Sequence, residues 1–245
     1  MYVLVKSSPG RSNSGQSPNK LLAALPKADY QRILPSLTTV TAKFKEVLHK
    51  AGGKIDRVYF PGGGVWSVTN VMSDGRMVEV ATIGNEGMVG ITAFFGGDIA
   101  PGEAFVQVPD GVAQSMTIEA FRRELNRRGP FHNLIGRYAQ ALQSLIMQSA
   151  ACFSMHTVEE RCARWLLMTQ DRVGVDDFQL THEFLSYMLG ARRPTVSLVL
   201  GTLDKAGVIQ NGTKRITVVS RKKLEEASCE CYQVVKDTFD RLLPH

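Results

Sequence analysis

The sequence predicts an α+β protein in which a β region is followed by a long helix and then by a winged helix-turn-helix. Three observations support this order. Short apolar runs separated by turn residues occupy positions 40–116. Apolar residues then recur at alternating four- and three-residue steps after Pro130. Finally, two helical patterns joined by a glycine turn, with a hairpin signal behind them, fill positions 180–219.

Composition limits the protein class but not its function. The 245 residues carry a net charge of +6, with 44% hydrophobic and 21% charged residues, which is typical of a soluble globular protein. The positive charge mildly favours a polyanionic partner. Because no apolar run reaches the length of a membrane span and no signal-peptide core is present, we expect a cytoplasmic protein without a membrane partner. Residues 1–20 are predicted to form a disordered tail.

The β region contains four strand-like runs, at 57–60, 65–72, 77–83 and 104–108, separated by glycine-containing turns. Their regular spacing predicts a small β sandwich or barrel. The triplet Gly62-Gly63-Gly64 lacks the lysine and hydroxyl continuation of a phosphate loop, so it is interpreted as a turn.

The long helix predicted after Pro130 carries one apolar stripe with a heptad-like period. The stripe consists of Phe131, Ile135, Tyr138, Leu142, Leu145, Ser149, Cys152 and His156. The interpretation adopted is a homodimer seam between two copies of the helix. Packing of the stripe against the β region of the same chain is the alternative. The predicted dimer interface is Ile135, Tyr138, Leu142, Leu145, Ser149 and Cys152.

The helix-turn-helix prediction depends on capping and periodicity. Thr181 caps a first helix, Gly190 makes the turn, Pro194 suits the first position of a second helix, and Gly207 follows its end. The second helix buries Val196, Val199, Leu200 and Leu203. Its other face shows Thr195, Leu198 and Thr202, preceded by Arg192 and Arg193. An ordinary amphipathic helix pair with a solvated basic turn is the alternative.

A hairpin signal follows, because two strand-like runs flank Asn211-Gly212. Helix-turn-helix and then hairpin is the order of a winged helix. Lys214 and Arg215 near the hairpin tip are predicted to contact phosphates.

This order resembles the Crp/Fnr family of bacterial transcription regulators, most specifically in the segments 159–166 (ERCARWLL) and 180–209. The resemblance covers roughly residues 20 to 225. It implies a cyclic-nucleotide-binding-like β-roll (a jelly roll), a dimerisation helix and a DNA-binding winged helix. The implied domains are a tail at 1–20, a sensory β-roll at 21–128, a dimerisation helix at 129–156 and a winged-helix domain at 157–245.

The resemblance also implies partners. A regulator of this family binds a two-fold symmetric site in double-stranded DNA as a homodimer, and RNA polymerase and a small-molecule effector are further expected partners. Thr181, His182, Arg192 and Thr195 would contact phosphates, whereas Arg193, Pro194 and Leu198 would face base edges. The predicted DNA-binding residues are Thr181, His182, Arg192, Arg193, Pro194, Thr195, Ser197, Leu198, Lys214 and Arg215. Well-known members have Arg, Glu and Arg where this chain has Arg193, Pro194 and Leu198, so a different DNA sequence is expected.

The effector segment departs from the family pattern. Cyclic-nucleotide-binding members have a glutamate for the ribose where this chain has Met88, and an arginine for the phosphate where it has Gly102 or Glu103. A phosphate facing Glu103 without a cation would be repelled. We therefore expect no cAMP or cGMP binding of the usual kind, which calorimetry tests directly. The residues of this weakly supported pocket are Gly87, Met88, Val89, Gly90, Gly102 and Glu103.

The sequence indicates neither a cofactor nor catalysis. The cysteines show no paired metal-site spacing, Cys229 and Cys231 being a lone C-x-C, so reduced thiols and no metal are expected. The scattered His49, His132 and His156 are interpreted as surface or core histidines rather than haem ligands. The carboxylate pairs Asp74 with Glu79 and Glu86 with Glu103 are interpreted as surface charges. The sequence contains no nucleophile elbow and no complete phosphate loop, so the protein is predicted not to be an enzyme.

One further hypothesis comes from the weakened charge of the second helix, where Pro194 and Leu198 replace charged residues. In this alternative, the protein is a ligand-binding regulatory module whose winged helix makes protein contacts.

Overall fold

The computed structural model describes residues 17–243, which form a β domain, a long helix and a winged-helix domain. The chain enters the β domain through the short helices α1 (Lys20–Ala23) and α2 (Lys27–Ile33). The strands that follow are β1 (Thr38–Thr41), β2 (Val47–His49), β3 (Arg57–Pro61), β4 (Val65–Val71), β5 (Met77–Ile83), β6 (Glu103–Val108) and β7 (Val112–Thr117).

The strands of the β domain form two antiparallel sheets, in the orders β1-β7-β3 and β2-β6-β4-β5. A 3₁₀ segment, Ile91–Phe95, lies between β5 and β6. The runs predicted from the sequence as strands correspond to β3, β4, β5 and β6, and the α+β fold class is confirmed. Gly62 and Gly64 lie in the bend between β3 and β4. A Cβ on Gly62 would lie 2.2 Å from a backbone carbonyl oxygen, and a Cβ on Gly64 would lie 2.1 Å from another. Only glycine therefore fits at these two positions of the triplet.

The remaining elements are helical apart from a small third sheet, in the order β8-β10-β9. In chain order they are α3 (Ile118–Leu125), α4 (Pro130–Met155), α5 (Val158–Val173), β8 (Asp177–Gln179), α6 (His182–Met188), α7 (Arg193–Lys205), β9 (Ile209–Gly212), β10 (Arg215–Val218), α8 (Arg221–Ala227) and α9 (Cys231–Leu242).

The segment just before α1 corrects the predicted tail. Residues 1–16 of that tail lie outside the described residues, but Ser17 and Asn19 are buried against the β domain. Asn19 caps α1 by accepting from the backbone N–H of Leu22 (3.0 Å), and its amide donates to the carbonyls of Pro61 (2.8 Å) and Gly87 (2.9 Å). Residues common in disordered tails are thus used here as capping and turn residues.

Helix α4 buries its apolar stripe inside its own chain, so the side chains predicted to form the dimer interface lie in an intramolecular contact. The stripe contacts α3, β5 and α9, and the Tyr138 hydroxyl donates to the carbonyl of Met88 (2.9 Å). A stripe of this period serves an intramolecular contact as well as a coiled coil, and the β domain and α9 supply the nearer apolar surfaces. The six assigned side chains are at most 7% exposed: Ile135, Tyr138, Leu142, Leu145, Ser149 and Cys152.

The opposite side of α4 is open in the single chain. It exposes the large side chains of Ile146 and Met147, Met147 to 66%. A second stripe with four- and three-residue steps runs along it: Gly136, Gln140, Gln143, Met147, Ala150 and Ser154. A helical face of this kind is the surface of α4 that remains available to a partner.

Glu79 of β5 lies at the junction between the β domain and α5, which corrects its interpretation as a surface charge. The carboxylate accepts from Ser67 Oγ (2.6 Å) and from Trp165 Nε1 (2.8 Å), and it is 6% exposed. Burial raises the pKa of Glu79 to about 7, against the opposing effects of these two donors and of the Arg172 and Arg164 charges. A buried carboxylate therefore joins the sheet to the helix that leads into the winged helix.

We predict that Glu79→Gln flattens the pH dependence of stability. The pKa of Glu79 is above its ordinary 4.5, so the folded protein holds an extra proton between about pH 4.5 and 7, and stability falls as pH rises through that window. The uncharged amide removes this loss, which is on the order of 2–3 kcal/mol, and can still pair with Ser67. Urea unfolding at pH 5 and pH 8 measures the difference in the free energy of unfolding between the two pH values.

The control for this prediction is Asp74→Asn, because Asp74 is an exposed carboxylate whose pKa is lowered by hydrogen bonds from Arg76. It should leave the slope above pH 5 unchanged. A Glu79→Gln protein with the same pH slope as the parent would contradict the role assigned to Glu79.

Candidate nucleic-acid interface

The turn between α6 and α7 has the local geometry that the sequence predicts. Thr181 caps α6 by accepting from the backbone N–H of Phe184 (3.1 Å). Gly190 has a φ of +56°, and a Cβ there would lie 3.2 Å from a methyl of Val78 in β5. Helix α7 begins at Arg193, with Pro194 in its second position, where the missing N–H costs no helical hydrogen bond. The glycine turn is therefore held against the β domain.

Helix α7 has one buried and one exposed face. The predicted apolar stripe is confirmed, because the residues that it comprises are at most 8% exposed: Val196, Val199, Leu200 and Leu203. On the other face Leu198 is 73% exposed. Arg192, Arg193, Pro194 and Thr195 are exposed at its amino end. Within the described part of the chain, neither arginine side chain makes a hydrogen bond or ion pair.

His182 joins the three parts of the winged helix. Its Nδ1 lies 2.9 Å from Ser197 Oγ in α7, and its Nε2 lies 2.9 Å from Asn211 Oδ1 in β9. Both His182 and Ser197 are half-buried. His182 and Ser197, both predicted to contact DNA, are therefore hydrogen-bonded to each other within the protein.

The wing differs from its prediction in the position of its turn. Asn211 and Gly212 lie in β9 and pair with Ile216 and Arg215, so the turn is at Thr213 and Lys214. Asn211 is held in β9 by two contacts. Its side-chain oxygen is hydrogen-bonded to His182, and the Asn211 backbone N–H donates to the Asp204 carboxylate (3.3 Å). Lys214, with a φ of +58°, is exposed at the tip and has no side-chain partner among residues 17–243.

Arg215, which was predicted to contact phosphates, is paired within the wing. Its guanidinium forms an ion pair with Asp177 of β8, whose carboxylate also accepts from Thr217 Oγ1 (3.1 Å). The hydrogen bonds from Arg215 lower the pKa of Asp177. The positive charge of Arg215 is therefore largely neutralised within the wing sheet.

The two segments of the predicted effector pocket contact different parts of the protein. Met88 and Val89 are buried, and a Cβ on Gly87 would lie 2.6 Å from the ring of Tyr138 in α4. A Cβ on Gly102 would instead lie 2.5 Å from the carbonyl of Thr69 in β4. Gly90 lies near the side chains of β3, and Glu103 pairs through its backbone with Thr69. The space beneath Gly87 is filled by Tyr138.

The sequence pattern does not reveal one cluster of potential metal ligands. Cys152, His156, Cys229 and Cys231 come together, although their spacing along the chain suggests no metal site. The only local signal is that Cys152 and His156 are one helical turn apart, with the C-x-C pair 77 residues beyond Cys152.

The comparison with protein families covers the winged helix. Residues 160–227, from α5 to α8, match the family model of the Crp-like helix-turn-helix domain. This segment is a Crp-like helix-turn-helix domain. It contains the exposed face of α7 and the wing described above. None of the curated protein sequences matches the chain.

Solved structures show the same fold over most of the chain. A protein from Eubacterium rectale described as a transcriptional regulator of the Crp/Fnr family is 18% identical and has a TM-score of 0.66 over 83% of this chain and 94% of its own. The c-di-GMP-responsive global regulator CLP of Xanthomonas campestris is 15% identical, with a TM-score of 0.66 over 80% of this chain and 100% of its own. A CRP-family transcriptional regulator from Thermus thermophilus is 20% identical, with a TM-score of 0.62 over 78% and 96%.

The resemblance to the Crp/Fnr family is thereby confirmed, and the chain has the Crp/Fnr fold around its Crp-like helix-turn-helix domain. The proteins from Eubacterium rectale and Thermus thermophilus are described as transcriptional regulators, and CLP is described as a global regulator. Among residues 17–243, no helix is both long and apolar enough to cross a membrane.

Proposed function

We propose that the protein is a sequence-specific transcription regulator that acts as a homodimer on a two-fold symmetric DNA site. The observation that carries this proposal is the amino end of α7, where Arg192, Arg193 and the 73% exposed Leu198 lie on a Crp-like helix-turn-helix without a partner in the described chain. A DNA groove that covers this end of α7 would explain why two unpaired cations and a large apolar side chain are exposed there.

Each exposed residue has a distinct proposed role. Arg193 can donate two hydrogen bonds to guanine, a contact worth about 1–3 kcal/mol of discrimination. Leu198 can pack against a thymine methyl, and Pro194 lies between them. Arg192 and Thr195 are assigned to phosphates, as is Lys214 of the wing.

Three other residues are proposed to position the interface. Thr181 caps α6, while His182 and Ser197 hold α7 against the wing. Because the imidazole binds two different elements, it fixes the angle between the helix that enters the groove and the wing that meets the backbone. Their contribution to DNA binding would then be indirect.

The homodimer is proposed to form through the outer face of α4. Its inner face is buried in the same subunit, whereas Ile146, Met147 and the neighbouring small and polar residues are exposed. Pairing of two such helices relates the two α7 helices by a two-fold axis. Half-sites about 34 Å apart, one turn of DNA, are then expected.

Control by cAMP is not part of the proposal. Met88 occupies the place of the ribose-binding acid and is buried, and the Tyr138 ring fills the space beneath Gly87. We retain the domain division at 21–128, 129–156 and 157–245 as a proposal, with a sensory role for the β domain. Its signal would reach the winged helix through the contact between Glu79 and Trp165.

We predict that Lys214→Ala weakens binding similarly for all DNA sequences and reduces the salt dependence. Because the homodimer carries two copies of Lys214, loss of one phosphate contact per subunit should change the slope of log affinity against log salt by about 1.8, at about 0.9 per contact. Fluorescence anisotropy with duplexes at several salt concentrations measures both quantities. Lys27→Ala, which removes the same charge from α2 in the β domain, is the control and should leave the slope unchanged. An unchanged slope in Lys214→Ala would remove the wing from the interface.

We predict that Met147→Glu dissociates the homodimer, because two carboxylates would face each other across the α4 seam. Sedimentation equilibrium measures the dimer dissociation constant, which should rise at least about tenfold, equivalent to about 1.4 kcal/mol. Met72→Glu introduces the same charge at an exposed methionine after β4 and should leave the dimer intact. Equal dimerisation of both variants would exclude this face of α4.

A further inference from the structure

Four potential metal ligands meet where the end of α4 approaches the start of α9. Cys152 lies in the last turn of α4, and His156 follows the helix directly. Cys229 and Cys231 flank Glu230 at the beginning of α9. The three cysteines are at most 4% exposed, and the His156 side chain is 16% exposed. Helix contacts between α4 and α9 hold the two pairs together.

The distances among the ligand atoms suit a single tetrahedral ion. Cys152 Sγ and Cys229 Sγ are 3.5 Å apart, as are Cys231 Sγ and His156 Nδ1, and all four atoms lie within 4.8 Å of one another. Zinc bonds of about 2.3 Å to sulfur and 2.0–2.1 Å to nitrogen imply separations of about 3.8 Å between sulfurs and 3.5 Å between sulfur and nitrogen. The ligands of an iron–sulfur cluster bind different irons and lie farther apart.

The groups around the cluster would orient and neutralise such a site. Glu230 Oε2 lies 3.2 Å from His156 Nε2, which leaves Nδ1 facing the sulfurs. Gln148 Nε2 donates to Cys231 Sγ (3.0 Å). Three thiolates around a divalent ion leave one negative charge. The positive charges of Arg161 and Arg164 lie within electrostatic reach of Cys152.

We propose that Cys152, His156, Cys229 and Cys231 bind one Zn²⁺ ion in a closed structural site. Three sulfurs and one imidazole nitrogen complete a tetrahedral shell and leave no open position for a substrate. The cysteines bind as thiolates, and their protons are released to solvent.

The position of the site gives the ion a structural role. Cys152 and Cys229 are 77 residues apart, and the chain between them contains α5, α6, α7, the wing and α8. The ion would therefore tie the C-terminal end of the Crp-like helix-turn-helix domain back to the end of α4, from which the chain enters that domain. Metal binding would set the orientation of α7 relative to α4.

The test uses the full chain, purified under reducing conditions without chelator. Metal content is measured by mass spectrometry, and the reduced apoprotein is titrated with Co²⁺, whose absorption reports thiolate ligation and tetrahedral geometry. We expect one zinc per chain and a saturating sulfur-to-cobalt charge-transfer band. Cys229→Ser should lose the metal, whereas the control Cys162→Ala, which changes a buried cysteine in α5 outside the cluster, should retain it.

Two milder variants guard against simple misfolding. His156→Gln should retain the fold by circular dichroism and shift the cobalt spectrum as a nitrogen ligand is lost. The Glu230 side chain is 71% exposed, so the Glu230→Gln protein should fold normally. Because Glu230 orients His156 and does not itself bind the ion, this variant should bind zinc about 10–100-fold more weakly. A wild-type protein without stoichiometric zinc or a cobalt band would overturn the proposal. A cobalt band that survives in Cys229→Ser would overturn it as well.

Discussion

Burial of the apolar stripe of α4 is the constraint on which the rest of the structure depends. Twenty-six residues of helix cannot leave such a stripe in water, and the chain covers it with its own β domain at one end and α9 at the other. This arrangement fixes where α5 leaves the helix and hence where the winged helix starts. It also leaves the outer face of α4 exposed, which is the surface proposed to meet a second subunit.

The winged helix is tied to this frame at several separate points. Glu79 receives a hydrogen bond from Trp165 of α5, Phe184 of α6 packs edge-to-face on Phe105 of β6, and Gly190 fits against β5. The proposed zinc ion would add a connection at the other end of the domain. A displacement of β5 or of the end of α4 would consequently move α7, which would give the proposed DNA contact a mechanical basis for regulation.

Local patterns predicted local structure well. The stripe of Val196 and Leu203, the cap at Thr181 and the glycine turn at Gly190 are set by residues within one or two turns of each other, so periodicity and capping suffice. Long-range partners could not be read from the sequence. The partner of Arg215 is 38 residues away, that of Cys152 is 77 away, and Trp165 is 86 residues from Glu79.

Assigning a partner to the α4 stripe requires information of a different kind. A heptad-like stripe states only that one face of a helix is apolar, and both an intramolecular contact and a coiled coil satisfy it. The second stripe, through Met147, has fewer apolar residues than the stripe through Tyr138 and Leu145, so the sequence pattern favours the latter as an interface. Deciding between the two faces requires the β domain and α9 to be in place, which is tertiary information.

Selection from a random duplex library shows whether the exposed end of α7 recognises DNA sequence, as proposed above. The protein is compared with Arg192→Ala/Arg193→Ala and with the control Arg127→Ala/Arg128→Ala, which removes an exposed arginine pair between α3 and α4. We expect a two-fold motif enriched by the parent and the control and lost in the α7 variant. No enrichment by the parent dimer, or a motif that persists without Arg192 and Arg193, would contradict the account.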